Sequence, residues 1–173
     1  MRGALERLRQ NVRFVRRRPG VAARAIANVL AVRAGRPRLR TIDFDVTNAC
    51  PLKCAQCYAA DFHMPRDREL TVEEFARVAG EARRLGALQA NLSGGEALVR
   101  RDLPAIIAAC RRAGLLVSMC TSGVGLTPQR LSVLAQAGLD VIIFSVDASD
   151  AATHDKNRGV RGLHARVLDG IRA

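Results

Sequence analysis

Thr41-Ile-Asp-Phe-Asp-Val-Thr47 runs directly into Asn48-Ala-Cys50-Pro-Leu-Lys-Cys54-Ala-Gln-Cys57. The first seven residues alternate, with Ile42, Phe44 and Val46 on one face, which is the period of a β-strand. The strand then delivers three thiols within eight residues, close enough in sequence to converge on one small inorganic centre. Parallel α/β architectures collect their sites at the carboxyl ends of strands, so a ligand-bearing loop in this place is a functional pointer.

Downstream, strand and helix signals alternate. Thr71-Val-Glu-Glu74 is a capping box opening a helix to about Leu85, closed by Gly86. Leu88 to Leu92 reads as a second strand, and Asp102 caps a helix through Arg112 with Pro104 in its first turn and Gly114 beyond it. Leu115 to Cys120 is a third strand, and Thr127-Pro128 opens a helix ending before Gly138. Val141-Ile-Ile-Phe144 is wholly apolar, as expected of a strand covered on both faces, and Leu163, Val167 and Ile171 mark a last helix. Strands therefore start near 41, 88, 115 and 140, at intervals of 47, 27 and 25 residues. The later intervals suit single βα units of roughly 30 residues. The first holds about 20 residues more, and that excess is the cysteine loop. The pattern predicts an α/β fold over 41–173: a partial TIM-type parallel (β/α) barrel of about four units. Four units do not close a barrel, so the chain reads as a fragment or an open part-barrel.

Residues 1–40 form a different unit, a basic and helical extension with a linker. They hold 12 arginines against Glu6, so +11 of the formal +12 lies there. Leu5, Leu8, Val12 and Val15 make one helical stripe; Pro19-Gly20 breaks it, and a second helix runs from Val21 to Val32 with Ile26, Val29 and Leu30 on its apolar side. Such an arm suits an anionic membrane surface or nucleic acid, although Phe14 alone offers a ring for base stacking, and a solvated helical face accounts for the arginines equally well. No apolar run approaches the roughly 18–20 residues of a membrane span, and the longest, Ala25 to Val32, is interrupted by Asn28. A secretory signal fits poorly, since arginines interrupt the apolar stretch. An apolar content of 49% excludes a disordered chain, and 5 cysteines in 173 residues are too sparse for a disulfide scaffold.

Three thiols leave the nature of the centre open. A zinc site takes four ligands, and His63 would have to be the fourth. An iron–sulfur electron carrier surrounds its cluster with four thiolates. A three-thiolate centre instead keeps one coordination position for a small molecule. Cys110 and Cys120 lie in a predicted helix and strand and read as buried small apolar residues. A non-catalytic zinc or iron–sulfur module with a basic arm is therefore the alternative to an enzyme.

C-x3-C-x2-C directly after a first strand resembles the radical S-adenosylmethionine (radical SAM) enzymes, in particular the peptide-maturase-like members. Four further segments resemble the family in order: Ser93-Gly94-Gly95-Glu96 after strand two, Thr121-Ser122-Gly123 after strand three, Ser145-Val146-Asp147 after strand four, then His154-Asp155 with Arg158-Gly159 in the loop that follows. The resemblance covers about residues 41–172 of a core that commonly has six βα units. It implies a 4Fe–4S cluster on Cys50, Cys54 and Cys57, with S-adenosylmethionine on the remaining iron. It implies that Glu96 takes the cofactor's ammonium, that Gly94 and Gly95 let backbone approach the ligand, and that Thr121, Ser122 and Ser145 bond its ribose or methionine part. Arg158 would pair with its carboxylate and Tyr58 would lie against adenine. The implied reaction is reductive cleavage to methionine and a 5′-deoxyadenosyl radical, which takes a hydrogen atom from a substrate the sequence does not identify. A flavodoxin- or ferredoxin-like electron donor would be the partner, and thiolate ligands to an oxygen-sensitive centre imply a reducing cytoplasm. Gln56 where the family often has an aromatic residue, Ser122 for Asn and Ala97 for Pro are departures.

Overall fold

The structure, a computed structural model, describes residues 18–57 and 68–172. The stripe from Leu5 to Val15, Tyr58 and His63 lie outside those residues. The elements in chain order are α1 (Pro19–Arg33), β1 (Thr41–Thr47), α2 (Val72–Arg84), β2 (Gln89–Gly94), a 3-10 turn (Ala97–Val99), α3 (Leu103–Arg112), β3 (Leu116–Thr121), α4 (Pro128–Ala137), β4 (Val141–Phe144), α5 (Ala151–Arg158) and α6 (Leu163–Arg172). The four strands are parallel and lie in the order β1-β2-β3-β4. Sequential order with helical crossovers is the winding of a (β/α) barrel, here as an open arc, rather than of a doubly wound sheet.

Alternation in β1 decides which face carries the helices. Phe44 and Val46 are buried while Asp43 and Asp45 are exposed, and the register places Leu92 beside Phe44 and Met119 beside Leu92. This apolar row meets α2 and α3 through Phe75, Ile106 and Ile107, all fully buried, with the Phe75 ring edge-on to Phe44 at 5.1 Å. The opposite face carries a polar ladder: Asn91 donates to Asp43 at 2.8 Å, Gln89 to Ser118 at 2.8 Å, and Ser118 to Asn91 at 3.0 Å.

Local chemistry starts the helices where expected, with one exception. The Thr71 side chain accepts from the Glu74 amide and the Glu74 carboxylate accepts from the Thr71 amide, a complete capping box. Thr127 caps α4 from the Arg130 amide, ahead of Pro128. Asp102 sits at the N-cap of α3 but makes no cap bond, because Arg100 takes both of its oxygens, at 2.8 and 2.9 Å. Those hydrogen bonds hold the Asp102 carboxyl below its ordinary value and raise the Arg100 guanidinium.

Two other expectations change. β4 is not covered on both faces: it is the edge strand, and Val141 and Ile143 are about half exposed on the open face. The segment expected as a loop around His154 is the helix α5, capped by Asp150 through the Thr153 amide and ended by Gly159 at φ +69°. Cys110 is fully buried in α3, and burial pushes its thiol up to about 11. The Cys120 thiol is half-buried and donates weakly to Asn91 at 3.7 Å.

The linker-helix α1 lies across the amino ends of the strands. Asn28 donates to the Gly86 carbonyl at 2.7 Å, Arg24 donates to the Gly114 carbonyl, and Arg18 pairs with Asp140. Gly86, Gly114 and Asp140 each precede a strand, so α1 bridges β2, β3 and β4 at the end opposite the cysteine loop.

Phe75→Ala should lower the unfolding free energy by about 3–5 kcal/mol in chemical denaturation, since transfer and cavity contributions both fall on the centre of this layer. The Asp102 carboxyl is lower in the folded state than in the unfolded one, so its contribution is complete above about pH 4 and is lost as pH falls below that. The stability difference between the wild type and Asp102→Asn should therefore shrink between about pH 4 and pH 2, as read by denaturation at each pH.

Candidate functional site

The carboxyl rim of the sheet begins with an exclusion. At the end of β1 the Thr47 carbonyl accepts from the Gly95 amide at 2.7 Å, and the Ala49 carbonyl accepts from the Glu96 amide at 3.0 Å. Strand register slips between Asp45 and Thr47 to bring these groups together. A Cβ on Gly95 would lie 2.5 Å from the Ala49 carbonyl oxygen and 2.8 Å from that of Asn48. One on Gly94, at φ +115°, would collide with the Thr47 carbonyl oxygen. These glycines permit a close approach to the root of the cysteine loop.

Glu96 follows immediately and is 1% exposed. Its carboxylate accepts from the Leu98 amide at 3.1 Å, from the Thr121 hydroxyl at 2.7 Å, and from the Ser122 amide and hydroxyl at 2.9 and 2.6 Å. A buried carboxylate holds its charge only with such partners. Thr121 and Ser122, expected to reach a ligand, serve here as donors to Glu96, and so tie the end of β3 to the end of β2. The Ser145 amide donates to the Thr121 carbonyl at 2.9 Å, which brings the end of β4 into the same rim.

Four successive residues of the cysteine loop close against α5, its C-cap and the segment that leads into it. Lys53 lies against Gly159, where an added Cβ would be 3.2 Å from the Lys53 carbonyl oxygen. Arg158 points Nη1 at the Cys54 sulfur at 3.8 Å, the Ala55 amide donates to the Asn157 carbonyl at 3.0 Å, and Gln56 donates to Asp147 at 2.8 Å. Asp147 is the hub, since its other oxygen accepts from Arg158. Burial acts to raise the Asp147 carboxyl, but the hydrogen bonds from Arg158 and Gln56 outweigh it and hold the group below its ordinary value. Burial acts to lower the Arg158 guanidinium, and Asp147 and Cys54 reverse that. Fully buried His154 accepts the Asp147 amide on Nδ1 at 3.2 Å, and its ring packs edge-on to His164 at 5.3 Å.

Cys50 and Cys57 are exposed and Cys54 is half-buried. Burial raises the Cys50 thiol against an opposing hydrogen bond from the Leu52 backbone, and the negative charges of Glu96, Cys54 and Cys57 push it the same way as burial. Among the described residues no three Cys, His, Asp or Glu side chains are gathered at the spacing of a metal site, so the thiols share one loop without meeting at a point. The donor set nevertheless suits an iron–sulfur cluster: three soft thiols reachable from the rim, beside one buried carboxylate. Tyr58 lies outside the described residues. A cavity of about 670 Å³ opens near the rim between Thr47, Glu69 and Asp102, beside the cysteine loop rather than over it.

Gln56, Asn157 and Asp147 were not among the expected site residues. Asp147 ends the Ser145-Val146-Asp147 segment, and Gln56 stands where the family often has an aromatic residue. Their pairing is a contact across 91 positions that no local pattern announces.

Residues 44–173 match the Radical SAM superfamily. The chain is 39% identical over 129 residues to a PqqA peptide cyclase of Streptomyces rochei, covering 75% of this chain and 35% of that protein. It is 41% identical over 122 residues to the PqqA peptide cyclase of Methylocella silvestris, covering 70% and 33%. It thus spans about a third of the length of these curated relatives. Streptococcus suis SuiB bound to precursor peptide SuiA has the same fold over 76% of this chain and 29% of that one, with a TM-score of 0.64 at 20% identity.

Asp147→Ala should free Gln56 and Arg158 together. Amide hydrogen exchange across 52–57 should then accelerate at least tenfold while exchange in β1 to β3 stays as in the wild type. Unchanged exchange in the loop would mean that α5 does not hold it.

Proposed function

This chain belongs to the radical SAM superfamily, and from that premise we propose that it is the cluster- and cofactor-binding part of an enzyme that cleaves S-adenosylmethionine reductively and takes a hydrogen atom from a peptide. Peptide is the substrate class because the relatives are named for peptide cyclisation. The observation that carries the reading is the stitch of the cysteine-loop root to Gly95 and Glu96, which joins a buried carboxylate to the start of the loop that carries the three thiols.

In this reading Cys50, Cys54 and Cys57 would hold a 4Fe–4S cluster, with S-adenosylmethionine bound beside it. When bound, the pair supplies one-electron cleavage of a carbon–sulfur bond and hence a hydrogen-abstracting carbon radical. Everything else is placement. Glu96, fixed by four donors, presents negative charge to the cofactor's ammonium without needing to reorganise. Arg158 keeps a guanidinium at Cys54, where it opposes the cluster's negative charge and can meet a carboxylate. Ser145 supplies a hydroxyl on the same rim. Asp43 and Asp45 stand on the open face of β1, a polar wall along which a peptide can lie. The electron comes from a flavodoxin- or ferredoxin-like donor, and a centre destroyed by oxygen belongs in a reducing cytoplasm.

Anaerobic reconstitution with iron and sulfide tests this. Bound cluster should be recovered from the wild type and lost on Cys54→Ala. Glu96→Gln should keep its iron and bind S-adenosylmethionine about tenfold or more weakly, the loss of one charge-assisted hydrogen bond. Formation of 5′-deoxyadenosine on reduction completes the case, whereas one zinc per chain and no cluster would overturn it.

A further inference from the structure

The helix α1 turns two of its polar side chains inward and a cluster of large apolar ones outward. Arg24 and Asn28 face the domain and are spent on the Gly114 and Gly86 carbonyls, with Val21 buried beside them, while Arg33 is exposed at the helix end. Its large apolar side chains face out: Ile26 is 65% exposed, Val29 53%, Leu30 61% and Val32 55%. Ile26, Val29 and Leu30 have the i, i+3, i+4 spacing of one face, and from Ala25 to Val32 no residue is charged. Scattered exposed apolar residues are ordinary; Ile26, Val29 and Leu30, three neighbours on one helix face, form a patch of the kind that marks a binding surface.

Charge identifies the occupant. Arg33, Arg36, Arg38 and Arg40 are exposed where α1 ends, and from Arg7 to Ile42 the sequence has no Asp or Glu. A second copy of this helix, or residues 1–17 with their six arginines, would bring like charge to like charge. Nucleic acid would satisfy the arginines but offers nothing to cover isoleucine, valine and leucine, and the helix has no ring for stacking. One surface offers both acyl chains and phosphates. We infer that α1 is an interfacial helix that docks this protein on a bilayer of anionic lipid, its apolar face entering the headgroup–acyl boundary and its arginines meeting lipid phosphate.

The placement of α1 gives this docking a direction. It rests on the residues preceding β2, β3 and β4, whereas the cysteine loop follows β1 at the opposite end of the strands. With α1 on the membrane, the cysteine rim faces away from it, open to a water-borne donor and substrate. No described helix is long and apolar enough to cross a membrane, so attachment is to one leaflet. The inference does not depend on the chemistry proposed for the rim.

Flotation of the full chain with phosphatidylglycerol–phosphatidylcholine vesicles tests it. The protein should float with these, not with phosphatidylcholine alone, and partition should weaken as salt rises. Each of Arg36→Gln and Arg38→Gln should weaken it about fivefold. Ile26→Ser with Leu30→Ser, which leaves the charge unchanged, should weaken it on the order of tenfold or more. As a second readout, Leu30→Trp introduces the chain's only tryptophan, whose emission should shift to the blue on anionic vesicles. Equal flotation with both lipids, wild-type partition by the double serine variant, or an unshifted tryptophan would overturn the inference. So would RNA binding without flotation, or a dimer that the serine pair dissolves and vesicles leave intact.

Discussion

Two backbones meet at the top of β1 and β2 with no room for a side chain between them. Gly94 and Gly95 press against Thr47, Asn48 and Ala49, and the two hydrogen bonds made there fix where the cysteine loop leaves the sheet. Any Cβ at either position would have to push carbonyl groups aside, because what it meets is backbone and not the tip of a flexible side chain. The loop's exit, the inward turn of Glu96 and the position of the first thiol all follow from that contact.

From it the rim is assembled strand by strand. Glu96 is carried into the interior by the turn after Gly95, and a charge there is tolerable only because Leu98, Thr121 and Ser122 donate to it. Thr121 in turn accepts Ser145 through its carbonyl. Each strand end is thus bonded to the next, and α5 returns from beyond β4 to hold the loop that left β1. Arg158 ends α5 with Asp147 and His154 behind it, so its guanidinium is held in place by hydrogen bonds and packing.

The two ends of the strands are built for different surroundings. One gathers thiols, carboxylates and the guanidinium groups of Arg100 and Arg158, each paired with a carboxylate. The other is bridged by a helix that turns arginine and asparagine inward and isoleucine and leucine outward. Inward-facing arginine is affordable there because the carbonyls preceding β2 and β3 are unpaired acceptors at the sheet's foot, and Arg24 and one amide side chain satisfy them.

Local signals were enough for much of this. Alternation in Thr41–Thr47, the Thr71–Glu74 box, Thr127-Pro128 and the closing glycines are short-range devices, legible because each acts within one turn or one strand. Three thiols at C-x3-C-x2-C likewise announce a ligand-bearing loop without any knowledge of the fold. The sequence alone therefore determined the strand–helix register, the buried face of β1 and the kind of atoms the loop offers. Tertiary structure decided what those atoms stand beside: that the paired glycines serve the loop's root, that Thr121 and Ser122 serve Glu96, that Asp102 gives up its cap to Arg100, that β4 is an edge, and that Gln56 reaches Asp147. The reason is range, since a hydrogen bond between residues far apart in the chain depends on the packing of everything between them, and no window of sequence contains it.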